Sequence, residues 1–207
     1  MAIFLLVRHG QNDMVGVKLA GRLPGVHLNG KGKAQARRLA AELAVLPIKA
    51  VLSSPLERAR ETAEPIARIH NLPVEINEGF QEIDFGTWQG KSIKHLRRRK
   101  LWKDVQEHPS ALCFPNGETF TDAQLRITGT LQALSNLYAE KDIVACVGHS
   151  DAIRLAVAFF LGMPLDAFQR LRIDTASVTT LNLNDSQAYF GAINVTQDNF
   201  GLYHNVQ

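Results

Sequence analysis

Two histidines stand directly behind apolar runs and beside groups suited to an anion. His9 lies in Leu5-Leu6-Val7-Arg8-His9-Gly10, and His149 in Val147-Gly148-His149-Ser150. Imidazole, with an ordinary pKa of about 6.5, is largely neutral at pH 7 and can attack phosphorus without a separate base. Arg8 adjoins the first histidine, and Arg58 follows Ser53-Ser54-Pro55-Leu56-Glu57. Guanidinium groups are permanently charged forks that grip oxyanions bidentately, which lysine does less well. Imidazole beside paired guanidiniums is the composition needed for phosphoryl transfer, where negative charge spreads over three equatorial oxygens. Singly, none of these short motifs is specific, and a lone Arg-His-Gly or Gly-His-Ser arises by chance.

Their positions in the chain give them weight. Ile3 to Val7 is an unbroken apolar run, as expected of a strand covered on both faces, and Gly10 ends it. After a loop with Gly16, Gly21 and Gly25, Asn29 reads as the N-cap of a helix through Ala36, Leu39 and Leu43 that stops before Pro47. Ala50 to Leu52 reads as the next strand, with Ser54 as N-cap and Pro55 at the first position of a helix to about His70. Val74 to Ile76 is a third strand. Thr121 to Tyr138 reads as a helix with apolar positions at Leu125, Leu131, Leu134 and Leu137, followed by a strand from Ile143 to Val147 and a helix from about Asp151 to Leu161. Val178 to Leu183 and Tyr189 to Val195, joined through Asn184-Asp185-Ser186, predict a hairpin at a sheet edge.

Strands alternating with helices imply an α/β fold: a three-layer α/β/α sandwich with a mainly parallel sheet and an antiparallel edge. Between about residues 79 and 117 the periodicity weakens and aromatic and basic residues interleave, which reads as a small, mostly helical cap insertion. No repeat or linker divides the chain, so residues 1–207 read as a single domain carrying that insertion. Ligands of parallel sheets bind beyond the carboxyl ends of the strands. The segments Arg8-His9-Gly10, Ser53-Ser54 with Arg58, and Gly148-His149-Ser150 fall independently on that one edge.

Composition narrows the classes further. The chain has 207 residues, of which 45% are hydrophobic and 21% charged, enough for a full globular core. The apolar run Leu155 to Leu165 is about half of the roughly 20 residues that cross a bilayer, so no membrane span is expected. The first residues show neither a basic leader nor a small-residue cleavage site, and Cys146 sits in an apolar run as a buried free thiol would, which together point to a cytoplasmic setting. Net charge is +3, yet Lys94 to Lys103 alone holds six Lys or Arg, so the rest of the chain is net acidic and a general nucleic-acid coat is disfavoured. That run reads first as a solvated cap helix. Gly30-Lys31-Gly32-Lys33 lacks the spacing of a phosphate-binding loop and is read as a helix start. No metal-ligand motif is present, so no metal cofactor is expected. His27, His70, His95, His108 and His204 are read as surface residues, with His27 and His95 candidates to border a pocket.

Taken together, four ordered motifs resemble those of the histidine phosphatase superfamily, whose members are phosphoglycerate mutase-like. Arg8-His9-Gly10 looks like its nucleophile signature; Ser54-x-x-x-Arg58-Ala59-x-x-Thr62-Ala63 is similar to its phosphate-pocket segment; Glu82-x-x-x-Gly86-x-Trp88-x-Gly90 resembles the segment bearing its proton donor; and Gly148-His149-Ser150 resembles its second-histidine motif. Gly21-Arg22 and the stretch from Leu28 to Ala36 resemble the intervening loop and helix. The resemblance implies His9 as the phosphorylated nucleophile, Arg8, Arg58 and His149 on the phosphoryl group, and Glu82 as acid and then base. It implies Asn12, Gly21, Arg22 and Ser150 as phosphate or substrate contacts. The chain departs from the pattern at Asn12, usually Thr or Ser, at Val15, where many members carry Asn, and at Ser150, usually Gly.

Two expectations concern protonation. His149, if protonated, would add a third cation, and the amides at the helix start near Ser150 and Asp151 would add a positive dipole end. Nearby arginines should lower the Glu82 pKa and a bound phosphate dianion raise it, so Glu82 is expected to become an acid chiefly with substrate bound. The leading reading is a metal-independent phosphatase for a small phosphorylated molecule. The rival is a phosphoglycerate mutase using 2,3-bisphosphoglycerate, for which the chain looks short. A catalytically silent phosphate binder and a nucleic-acid binder stand behind these. The oligomeric state is open, a homodimer included.

Overall fold

The computed structural model describes residues 1–196. His204 and the end of the 1–207 span lie outside the described residues. Six strands form a sheet in the order β3-β2-β4-β1-β5-β6, where β1 is Ala2–Arg8, β2 Ile48–Ser53, β3 Val74–Ile76, β4 Ile143–Gly148, β5 Val178–Leu183 and β6 Ala188–Val195. The first four strands of that order are parallel; β5 pairs antiparallel with β1 and with β6, so the closing hairpin forms the sheet's edge. The fold is the α/β sandwich expected, mainly parallel with an antiparallel edge.

Period-two alternation along the strands sorts side chains between two helical layers. Leu5 and Val7 of β1 face α1 (Gly30–Leu43) and α2 (Glu57–Ile69), packing with Leu39, Leu43, Ala63 and Ile66. Phe4 and Leu6 face the other way, into a cluster with Ile127 and Leu131 of α5 (Phe120–Ser135) and Leu155 of α6 (Ser150–Phe160). Strands buried on both faces account for the unbroken apolar runs.

Asn29 does cap α1, its side chain accepting from Gly32 N at 3.0 Å. Ser54 does not cap α2, and Pro55 is not its first residue: the cap position is Leu56, without a side-chain bond. The reason is that Ser54 N still donates to Val147 O at 2.9 Å, so the chain is extended in the sheet where the motif suggested a helix start. Helix α5 begins after Thr119, whose capping box with Asp122 sets the boundary, and ends at Ser135. Its buried face runs through Phe120, Ala123, Ile127, Leu131 and Leu134, whereas Leu125 and Leu137 are 61% and 76% exposed. Counting leucines picked out the wrong stripe at both ends.

Residues 78–111 hold short helical pieces, with α3 (Ile93–Leu96) and α4 (Lys100–Glu107) the α-helical ones. Phe85, Trp88, Leu96 and Phe114 join the cluster that packs α5 and α6, so this segment shares the core of the second layer. The basic run spans α3, a break and α4, with its six cations exposed. No described helix is long and apolar enough to cross a membrane.

Candidate active site

Register alone brings the two histidines together. β1 and β4 pair with Arg8 opposite Gly148, so the next residue of each strand, His9 and His149, emerges at the same rim. His9 N donates to Gly148 O at 2.9 Å, and the two ring centroids lie 5.2 Å apart at 61°. Both residues are buried, as are Arg58 and Glu82.

One hydrogen bond fixes the tautomer of His9. His9 Nδ1 is 2.7 Å from Gly10 O. A carbonyl only accepts, so Nδ1 carries the hydrogen and Nε2 holds the ring's lone pair. The turn beneath is anchored by α2: Gly10 N donates to Thr62 Oγ1 at 3.0 Å, and that hydroxyl donates to Arg58 O at 2.7 Å. His149 Nε2 meets Ser54 Oγ at 2.8 Å, while its Nδ1 has no protein partner among the described residues.

The guanidiniums are half committed. Arg58 Nη2 donates to Gly21 O at 2.7 Å and Arg8 Nη1 to Ile173 O at 2.6 Å, yet Arg58 Nε and Nη1 and Arg8 Nε are buried without acceptors among the described residues. A buried unpaired donor costs about 1–3 kcal/mol, more when charged. A tetrahedral oxyanion at this rim would satisfy several of these donors at once. Gly21 serves by its carbonyl and by its backbone, since at φ +55° a Cβ would run into the Gln89 side chain.

The remaining expected contacts divide. Asn12 is buried in the wall, its Oδ1 accepting from Met14 N at 2.9 Å and Val15 N at 3.2 Å, which leaves its amide NH₂ as the group to offer a ligand. Ser150 lines the cavity as the first residue of α6, with His149 at the cap position. The Arg22 guanidinium is turned to Glu82 O at 2.8 Å and Glu118 Oε1 at 2.9 Å. His27 pairs with Glu61 at the surface, and His95 and His108 are exposed.

Both expectations about protonation change. Burial, and then the charges of Arg58 and Arg8, hold His9 well below the usual histidine range. The same causes, burial first and then Arg58, keep His149 neutral. His149 is therefore not a standing third cation. Burial pushes the Glu82 carboxyl up from 4.5 to about 7, the Asp151 charge adds to this, and Arg58 and Arg8 oppose it without prevailing. Glu82 is thus poised as an acid before any ligand arrives, because desolvation outweighs the arginines.

These groups floor a cavity of about 480 Å³. Beyond the polar floor the walls are largely apolar, with Met14, Val15, Leu19, Ile93, Trp102 and Val105 among them, and Lys18 and Arg97 contribute to the lining. Among the described residues no group of three or more His, Cys, Asp or Glu could hold a metal ion. The sequence placed Ser54 and Asp151 at this rim but did not show that the Ser54 hydroxyl meets His149 or that the Asp151 charge acts on Glu82. The available signal was positional: each stands at the same strand rim as the histidines.

Comparison with known proteins agrees with this architecture. The family model of the histidine phosphatase superfamily (branch 1) matches residues 4–196. Phosphoserine phosphatase 1 of Hydrogenobacter thermophilus is 28% identical over 95% of this chain and 93% of its own. The 2,3-bisphosphoglycerate-dependent phosphoglycerate mutase of Thermoplasma acidophilum is 30% identical over the whole of both chains. The crystal structure of phosphoserine phosphatase from Entamoeba histolytica, in complex with 3-phosphoglyceric acid, superimposes with a TM-score of 0.85 at 26% identity, covering 95% of this chain and 98% of that one. With its two histidines at one strand rim and the family model covering almost every described residue, this chain belongs to the histidine phosphatase superfamily, branch 1.

Proposed function

We propose that this chain is a phosphatase that hydrolyses a small phosphomonoester through a phosphohistidine on His9, without a metal. The observation that carries the reading is the committed tautomer of His9, whose free Nε2 lone pair stands 5.2 Å, ring to ring, from His149 among buried guanidinium donors without protein acceptors. Nε2 attacks phosphorus as the bond to the leaving oxygen breaks, and protonated Glu82 supplies the proton to that oxygen. Arg8, Arg58, His149 and the first amides of α6 face the charge that builds on the phosphoryl oxygens. Water then attacks the phosphohistidine and gives its proton to the Glu82 carboxylate. The N–P bonding pair returns to Nε2, and inorganic phosphate leaves.

The leaving group faces the apolar walls, so phosphates of alcohols with an apolar body suit the cavity better than compact polar ones. The mutase reading retains one specific support: the Thermoplasma acidophilum mutase aligns over the full length of both chains, so shortness does not argue against it. In that reading a sugar-acid hydroxyl replaces water and 2,3-bisphosphoglycerate primes His9. Two free cysteines, one deeply buried, suit a reducing, cytoplasmic setting.

The test is chelator-treated protein assayed on p-nitrophenyl phosphate, aryl phosphates, phosphoserine and 3-phosphoglycerate, the last with and without 2,3-bisphosphoglycerate. Release of inorganic phosphate is expected, with His9→Ala reducing turnover by at least about 10⁴-fold and abolishing acid-labile phosphoprotein. Undiminished turnover in His9→Ala overturns the mechanism, and isomerisation dependent on the bisphosphate selects the mutase.

A further inference from the structure

Glu82 sits on a loop, not on a strand, and among the described residues the segment from Gly79 to Asp84 has no sheet partner to hold it. What holds it is a cluster of three charged side chains. Arg22 Nε donates to Glu82 O at 2.8 Å. From the other side Arg126, on α5, donates through Nη1 to Gly79 O and to Gln81 O, both at 2.9 Å. The two guanidiniums are tied to each other through one carboxylate oxygen: Glu118 Oε1 accepts from Arg22 Nη2 at 2.9 Å and Arg126 Nη2 at 2.8 Å. The same oxygen accepts from Asp84 N at 2.9 Å, and Glu118 N donates to Asp84 O at 3.0 Å. Backbone on both sides of Glu82 is thereby pinned.

The local sequence makes the approach possible. Gly117 precedes Glu118, and a Cβ there would collide with Asp84 O and Gly86 N, so the two loops touch backbone to backbone only with glycine at this place. Thr119 then caps α5, which fixes Arg126 about two turns below Glu118. Both ion pairs are largely shielded, with side-chain exposures of 16–29%, and bonds to charged partners are worth more than neutral ones.

We infer that Glu118, with Arg22 and Arg126, is a positioning clamp that sets the carboxyl of Glu82 against the leaving oxygen. This rests on the reading of Glu82 as proton donor. It also gives Arg22 a task other than gripping phosphate. None of the three needs to touch the substrate: they act through the Glu82 backbone.

A positioning role has a signature that a purely structural one lacks. Proton donation matters for an alkoxide and hardly at all for p-nitrophenolate, which leaves unaided. The experiment measures kcat/KM of wild type, Glu118→Gln and Glu118→Ala on p-nitrophenyl phosphate, phenyl phosphate and an alkyl phosphate, with folding checked by circular dichroism. Glu118→Ala is expected to lose about tenfold or more on the alkyl ester and less than about threefold on p-nitrophenyl phosphate, with Glu118→Gln between it and wild type. Should the Glu118 variants fail to fold, Arg22→Lys, which keeps the charge and loses the fork, is read on the same series with the same expectation. Equal losses on all three esters, or none, overturn the clamp while leaving the phosphatase reading intact. A wild type that turns over none of the esters overturns both.

Discussion

The floor of the site and its roof are built by different means. Below, His9, Ser54 and His149 follow directly on strands whose ladders set their spacing, and Arg58 projects from the helix behind β2. Above, Glu82 and much of the apolar wall come from loops and short helices between Gly79 and Gly117, held by side-chain bonds and aromatic packing, with the loop from Met14 to Leu19 completing the wall. A sheet rim places its charge-handling groups chiefly through the backbone ladder, so it tolerates little variation. A roof placed by side chains can be rebuilt for another leaving group without disturbing the floor.

Three measurements would sharpen or break this contrast. Arg58→Ala removes the most buried cation of the floor, and a loss in kcat/KM of about 10³-fold is expected on every ester regardless of leaving group. A loss confined to poor leaving groups would show that floor and roof are not separable.

Glu82 marks the roof by its titration. Its folded pKa is raised from 4.5 to about 7, so its protonated form favours the fold; that contribution is complete below about pH 4.5 and disappears as pH rises through about 7. Glu82→Gln is neutral throughout and escapes the loss. Denaturant unfolding should therefore show the variant gaining roughly 3 kcal/mol on wild type between pH 4 and pH 8, at about 1.4 kcal/mol per unit. A difference independent of pH would mean that Glu82 is not desolvated as described.

The smallest effect concerns the walls. Trp102 lines the cavity and stacks on Trp88, with centroids 6.2 Å apart at 11°. Trp102→Ala should lower kcat/KM for aryl phosphates by about fivefold and change that for phosphoserine by less than about twofold. Equal changes would mean that the wall does not read the leaving group.

Legibility followed the same division. The strands of the floor could be read because residues buried on both faces leave unbroken apolar runs, and Asn29 and the hairpin turn because capping and turn chemistry are local. The face of α5 was misjudged at Leu125 and Leu137, since leucine is not obliged to be inside. Ser54 was read as a cap because its neighbours resemble one, and only the ladder bond to Val147 O shows that it remains in the sheet, free to meet His149. The neutrality of His9 was legible from the ordinary imidazole pKa, but that of His149 and the raised pKa of Glu82 were not, because burial is a property of the packed molecule and charge counting along a sequence omits it.

By itself the sequence determined the α/β class, the shared rim of His9, Arg58 and His149, and the family to which the motifs point, because periodicity and strand ends are written in consecutive residues. Only the tertiary structure decided which nitrogen of His9 is free, which protonation states the buried groups hold, and that Arg22, Glu118 and Arg126 close around the Glu82 loop. Those depend on side chains separated by up to 141 positions meeting in a medium of low dielectric, where the cost of an unpaired charge, and not residue type, settles the outcome.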